Sequence, residues 1–170
     1  MGDRVFGSTP FGGLTAEAIL REDDAYALPE GVNANAAAGF ELNYGTVWHG
    51  LVDCCDLKEG ETLLVLGASG GVGMAAVDIG QALGCTVVAC ASTATKLAAC
   101  KAAGAEGLVN YEEGDFKTLL KASGYYGDVD VRGEGNETTL NRRARARVCV
   151  CVCVCVCVCV CVCVCVCVSV

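Results

Sequence analysis

Residues Leu63–Gly73 read LLVLGASGGVG. Leu63 to Leu66 are consecutive apolar residues, the length and composition of a short buried strand. Gly67-Ala68-Ser69 turns the chain, and Gly70, Gly71 and Gly73 open an amphipathic segment. A strand, a glycine turn and a helix in that order leave free N–H groups and the positive end of the helix dipole facing a small concavity. That is how a dinucleotide pyrophosphate is held. The spacing is Ala68-x-Gly70-x-x-Gly73, the dinucleotide fingerprint with alanine in its first slot. A side chain at Gly70 would keep the backbone off a phosphate, and one at Gly73 would hold the helix away from the strand. A glycine string alone is a weak signal. Here the strand before it and the helix after it supply the context that the motif requires.

The alternation continues beyond the motif. The pattern predicts strands over Thr62–Leu66, Thr86–Cys90 and Leu108–Asn110, with a fourth beginning at Asp128–Val131. Between them it predicts helices from Gly71 to Leu83, about Ala94–Ala103 and about Phe116–Ala122, ended by Gly84, Gly104 and the Ser123-Gly124 region. On the first of these helices Val72, Ala76, Ile79 and Leu83 share a face, with Asp78 and Gln81 turned away. A βαβαβαβ series places the chain in the α/β class, with a parallel sheet and right-handed crossovers: a partial Rossmann, or doubly wound, domain. Upstream, Asn33 is placed to cap a helix Ala34–Phe40, and a second helical pattern runs from about Tyr44 to Cys55. Residues 1–32 differ in character. They predict a turn and strand over Gly2–Phe6, a turn at Phe11-Gly12-Gly13, a candidate strand Leu14–Arg21, and Tyr26–Leu28 leading into the turn Pro29-Glu30-Gly31. This stretch is too short to enclose a core and reads as the closing portion of a β-rich domain.

Past Val131 the pattern fails. Arg132–Arg143 is polar without an apolar period, and Val148–Val170 alternates Val and Cys apart from Ser169, holding ten of the 15 cysteines. Ala144-Arg145-Ala146-Arg147 stands just before it. Alternating G and C in DNA translates as Ala-Arg, alternating G and T translates as Val-Cys, and the codons GCG-CGT-GTG-TGT join the two without a break. The last part of the chain is therefore expected to be translated dinucleotide repeat, within a low-complexity tail over residues 132–170. Three physical readings of it stay open: an apolar anchor with the arginines at the cytoplasmic face, a strand with its cysteines on one face for soft metals, or an aggregating β segment. The net charge is −8, and without the four tail arginines residues 1–141 carry −12. Such acidity argues against nucleic acid as a partner. Of the other five cysteines, Cys85, Cys90 and Cys100 lie in apolar stretches and read as reduced core residues of a cytoplasmic protein, with no metal-ligand spacing among the set. No metal and no membrane partner is expected.

From Gly2 to about Val131 the chain resembles the medium-chain dehydrogenase/reductase superfamily, in its zinc-free quinone oxidoreductase (zeta-crystallin-like) branch. The stretches that carry the resemblance are GDRV, FGG, LPEGV, YGTVWHGL, KEGETLLVLGASGGVG, the AST…K segment, KAAGAEGLVNY and GDVDV. It implies a GroES-like catalytic domain joined to a Rossmann domain. Residues 1–32 would be the C-terminal remnant of the first, and residues 33–131 a partial Rossmann NADPH-binding domain. The chain departs from the pattern after GDVDV, where relatives continue with a glycine-containing loop under the nicotinamide and GEGNETTLNRRARARVCV stands instead.

The motif assigns the backbone N–H groups of Ser69, Gly70, Gly71 and Val72 to the pyrophosphate, with the Ser69 hydroxyl as a further donor and Gly73 setting the helix distance. An NAD site places Asp or Glu at the end of the second strand to bond both ribose hydroxyls. Here that place is Ala91-Ser92-Thr93, without an acid, and Lys96 follows one helical turn later. Small hydroxyl residues, a helix N-terminus and one lysine suit a 2′-phosphate, so the expected cofactor is NADPH. The resemblance implies that Lys96 and Tyr111 flank the adenosine phosphate and that Thr46 lies near the nicotinamide carboxamide. The plain alternatives are a solvated helix lysine, a rim aromatic and an ordinary helix threonine. Tyr44 and Trp48 read as core or interface aromatics, and His49, the single histidine, as a residue that packs or makes a structural hydrogen bond. No catalytic residue is assigned. The implied activity is NADPH-dependent hydride transfer to a small electrophile, a quinone or an α,β-unsaturated carbonyl, in a family whose members are often homodimers. The alternatives are an enoyl reductase domain of a polyketide or fatty acid synthase, or a non-catalytic nucleotide-binding remnant. The chain as written is expected to have little activity of its own.

Overall fold

A computed structural model describes residues 2–9, 11–13, 15–125, 146–156 and 160–169, the last two as backbone strands. Two short strands come first, β1 (Val5–Gly7) and β2 (Ala25–Ala27), paired antiparallel with Phe6 opposite Tyr26. Helices α1 (Ala34–Ala38) and α2 (Phe40–Trp48) follow, and α2 runs on into a π-helical turn, His49–Cys54. Then β3 (Thr62–Leu66), α3 (Gly71–Ala82), β4 (Thr86–Ala91), α4 (Ala94–Ala102), β5 (Gly107–Asn110) and α5 (Phe116–Ala122) alternate as the periodicity predicts. β3, β4 and β5 are parallel neighbours with β4 in the middle.

The central strand shows why this sequence makes a layered sheet. Val87, Val88, Ala89 and Cys90 of β4 are fully buried, as a parallel strand covered on both faces must be. Alternate residues feed two cores. On one face Leu63, Val65, Val87 and Ala89 pack against α3 and Cys100 of α4, together with Val47 of α2 and Leu51. On the other, Leu64, Val88, Cys90 and Val109 meet Leu120 of α5. Cys85, Cys90 and Cys100 are buried free thiols, as expected. Gly84, in the left-handed region at φ 77°, closes α3 where a side chain would be strained.

Several expectations need correction. Leu14–Arg21 forms no strand over its described residues. Thr15 donates its hydroxyl to the carbonyls of Gly12 and Glu17, and such local bonds compete with a ladder. The helix expected over Ala34–Phe40 ends at Ala38, and α2 begins at Phe40, before Tyr44. The face expected on α3 is present, with Ala76 and Ile79 buried, Val72 and Leu83 half-buried against the same core and Asp78 and Gln81 exposed, but Gly73, Ala75, Val77 and Gly80 are buried too. The buried arc is wider than the predicted stripe because α2 packs on α3 as well as the sheet.

The fourth strand expected at Asp128–Val131 lies outside the described residues. The edge of β3 is instead taken by the tail. β6 (Ala146–Val156) and β7 (Val160–Ser169) pair antiparallel, and β7 runs antiparallel along β3 with Leu63 opposite Val168 and Leu64 opposite Cys167. The five-stranded order is β5-β4-β3-β7-β6. A β-branched alternating segment is a good partner for an otherwise unpaired edge. Among the described residues no helix is long and apolar enough to cross a membrane.

Candidate functional site

The site is built at the C-terminal ends of β3, β4 and β5. The turn after β3 is pinned from both sides. Ala68 is fully buried and donates its N–H to the Cys90 carbonyl at 3.0 Å, and Gly70 donates to the Gly67 carbonyl at 3.1 Å. The second bond gives the Gly70 N–H a partner within the turn. The amides of Gly71, Val72 and Gly73 open α3 and have no carbonyl partner within the helix. Gly70, the N-cap, offers no side-chain oxygen, and the first turn carries no acid. Helices α1, α4 and α5, by contrast, are capped by the side chains of Asn33, Thr93 and Asp115. The α3 terminus therefore presents free donors and a positive dipole end to whatever lies before it.

The glycines divide by role. A Cβ built on Gly73 would stand 2.5 Å from the Gly67 carbonyl oxygen and 2.7 Å from the Ala68 Cα, both backbone atoms. Close approach of helix to strand requires glycine there. A Cβ on Gly70 would have only the Gly67 oxygen near it, at 3.5 Å, and the residue is exposed in an extended conformation, φ −79° and ψ 169°. Nothing in the fold demands glycine at that position. A Cβ on Gly71 would meet the Asn43 amide group at 2.9 Å. Asn43 of α2 thus stands beside the first residue of α3. Sequence reasoning did not single it out; the available clue was a polar residue on a helix that must pack against its neighbour.

At the end of β4 the structure brings two sequence-selected residues together. Lys96 Nζ donates to Ser92 Oγ at 3.0 Å, and Thr93 caps α4 by accepting from the Lys96 N–H. Tyr111 follows β5, donates its N–H to the Ala91 carbonyl and is 37% exposed. Glu112 and Glu113 come next; Glu113 is engaged by the Asn110 amide at 2.6 Å. Ser69 and Val72 are half-buried at the turn. Thr46 is not brought to the loop by any hydrogen bond. Its hydroxyl donates to the Leu42 carbonyl within α2. Tyr44 donates to Asp78 Oδ2 at 2.8 Å, tying α2 to α3, and that bond holds the tyrosine above its ordinary pKa. Trp48 is half exposed. Among the described residues no group of three or more His, Cys, Asp or Glu side chains is placed to hold a metal ion.

A strand, a pinned glycine turn and an uncapped helix over three parallel strands define a partial Rossmann-type domain. Residues 71–142 match the family described as zinc-binding dehydrogenase. The quinone oxidoreductase of Pongo abelii is 36% identical over 131 residues, 76% of this chain and 39% of that protein. A mycocerosic acid synthase-like polyketide synthase of Mycolicibacterium smegmatis is 38% identical over 93 residues, 55% of this chain and 4% of that protein. Among solved structures, the quinone oxidoreductase from Thermus thermophilus, described together with its NADPH complex, superposes with a TM-score of 0.65 at 34% identity, covering 72% of this chain and 40% of that one. The chain belongs to the medium-chain dehydrogenase/reductase superfamily, on its quinone-oxidoreductase-like side. It spans about two fifths of the length of the quinone oxidoreductases it matches. The zinc in the family description finds no matching donor set among the described residues.

Proposed function

We propose that this chain is the cofactor-holding part of an NADPH-dependent reductase that delivers hydride to a small electrophile, a quinone or an α,β-unsaturated carbonyl. The observation that carries the reading is the start of α3, a helix N-terminus without a side-chain cap, reached over a Gly70 whose Cβ position has open room. There the amides of Gly70, Gly71 and Val72, with the N–H and hydroxyl of Ser69, would hold a pyrophosphate, and Gly73 keeps the helix at the right distance. Ser92 and Lys96 would take a 2′-phosphate, with Tyr111 at the rim. The want of a carboxylate at Ala91-Ser92-Thr93 favours NADPH over NADH. Thr46 is assigned to the nicotinamide end on the resemblance alone. When bound, the nicotinamide supplies the hydride. The residues of this chain bind it and orient it, and none is assigned a proton to move.

Two neighbouring assignments belong to the same proposal. Residues 1–32 close a GroES-like domain, a reading supported by their β1–β2 pair, which is separate from the main sheet. Residues 33–131 form the cofactor domain, and residues 132–170 are a low-complexity tail. The four buried free cysteines among the described residues, Cys55, Cys85, Cys90 and Cys100, suit a reducing compartment such as the cytoplasm. The polyketide synthase relative favours a second reading of the acceptor, an enoyl thioester.

Titration of NADPH fluorescence tests the cofactor reading. Saturable binding that is tighter for NADPH than for NADH supports it, and no saturable binding rejects it. Consumption of NADPH with a benzoquinone and with a 2-enoyl thioester in parallel separates the two acceptors. Turnover by this chain is expected to be slow with either.

A further inference from the structure

Away from the glycine turn, three chemistry-bearing side chains line up on the π-helical segment. His49 Nδ1 lies 3.0 Å from Asp53 Oδ2, and His49 Nε2 lies 3.5 Å from Cys54 Sγ. The backbone form makes this possible. A π-helix closes its bonds from residue i to i+5, so residue 54 returns over residue 49. In an α-helix, at about 100° per residue, it would stand on another face. The Asp53 carboxylate favours the tautomer with hydrogen on Nδ1, which leaves Nε2 as an acceptor facing the thiol. A nucleophile and a base within reach of each other, with the base oriented by a third group, is the arrangement that activates a cysteine.

The remaining described thiols set the contrast. Cys54 is exposed, whereas Cys55, Cys85, Cys90 and Cys100 are buried. Burial pushes the Cys55 thiol up to about 11 and the Cys90 thiol up to about 12. Cys55, the next residue in the chain, is therefore an internal control.

We propose that Cys54 is a nucleophilic thiol, activated by His49 and oriented through Asp53, that takes soft carbon electrophiles of the Michael-acceptor class as a covalent modification site. The thiol proton passes to His49 Nε2 as Sγ attacks the β-carbon of the acceptor. A C–S bond forms, the C=C π bond breaks, and its electron pair moves to the carbonyl as an enolate. His49 then returns the proton to the α-carbon. The net change is addition of S–H across the double bond, with no oxidant or reductant. The site stands apart from the glycine turn and does not depend on the cofactor reading. The ionisable groups that follow the segment in the chain are Cys55 and the Asp56–Lys58 ion pair.

The test uses the full chain and a limiting amount of N-ethylmaleimide at a series of pH values. Timed quenching is followed by trypsin and fragment mass spectrometry of the peptide from Glu22 to Lys58, which contains both Cys54 and Cys55. Cys54 is expected to react at least about tenfold faster than Cys55. Between about pH 7 and pH 8 its rate is expected to change by clearly less than the roughly tenfold per unit of a free thiol. His49→Gln is expected to slow Cys54 about tenfold or more and to restore the free-thiol slope, with Asp53→Asn in between. An unchanged rate at Cys54 in a folded His49→Gln variant overturns the proposal, as does equal labelling of Cys54 and Cys55. If circular dichroism shows that the variant has lost its fold, the wild-type profile decides: a free-thiol slope at Cys54 overturns the proposal and a shallower one supports it.

Discussion

Alanine at Gly70 and alanine at Gly73 are expected to fail in opposite ways. At Gly73 the new methyl would sit nearly an ångström inside ordinary contact with the Gly67 carbonyl oxygen and close to the Ala68 Cα. Those atoms are backbone, and Ala68 is itself held by its bond to Cys90. The helix must therefore move off the sheet. Overpacking against backbone atoms falls at the upper end of the usual range, about 2–3 kcal/mol, and the better helix propensity of alanine returns about 1 kcal/mol. The net loss is about 1–2 kcal/mol, a fall in Tm of roughly 3–8 °C for a chain of this size. At Gly70 the methyl has open room, and φ −79° is acceptable to any residue. Gly70→Ala is then expected to fold with a stability within about 1 kcal/mol of wild type, on the favourable side, through a less flexible unfolded chain. Its cost falls on ligand approach, with NADPH affinity expected to drop about tenfold or more, about 1.4 kcal/mol. Urea unfolding and NADPH fluorescence titration, run on both variants, check the pair. A Gly73→Ala chain as stable as wild type would refute the packing reasoning. A Gly70→Ala chain that keeps full NADPH affinity would refute the phosphate reasoning.

Three more expectations rest on single contacts. Lys96→Ala should weaken NADPH about five- to tenfold while leaving NADH nearly unchanged, the worth of one charge-assisted bond at a partly exposed site; equal losses in calorimetric titrations would remove the phosphate role. Tyr44→Phe should lower stability by about 0.5–1.5 kcal/mol in urea unfolding, because it deletes the bond that ties α2 to Asp78 of α3. Asp115 caps α5 by accepting from the N–H and hydroxyl of Thr118, which holds its carboxyl below the ordinary range. A depressed carboxyl stabilises the fold above its unfolded pKa, and that contribution is lost as the pH falls through the folded value. Hydrogen exchange in α5 should therefore rise, relative to α3, as the pH falls below about 4, and Asp115→Asn should remove that pH dependence.

The parts of the fold that could be read in advance are those whose signal is local. β3, α3, β4 and α4 show clean periodicity bounded by glycine, and the cap at Asn33 announces α1. The rest depends on contacts between distant residues or on backbone detail. Leu14–Arg21 has the composition of a strand, but its first hydroxyl finds nearer partners. The N–H of Gly70 has a partner within the turn, which no spacing rule reveals. Asn43 reaches Gly71 only because α2 packs on α3. His49 and Cys54 meet only because the segment is π-helical, while α-helical spacing would separate them. The docking of β7 on β3 follows from an open strand edge and is invisible in a Val-Cys repeat.

The measurement that bears most directly on the central claim is a nitrogen–proton NMR titration of the chain with NADPH and, separately, with NADH. The account predicts saturable shifts at the amides of Ser69, Gly70, Gly71 and Val72 with both, and at Ser92 and Lys96 with NADPH, at a lower concentration for NADPH. Shifts that do not saturate, or that leave the glycine turn unmoved, would contradict it.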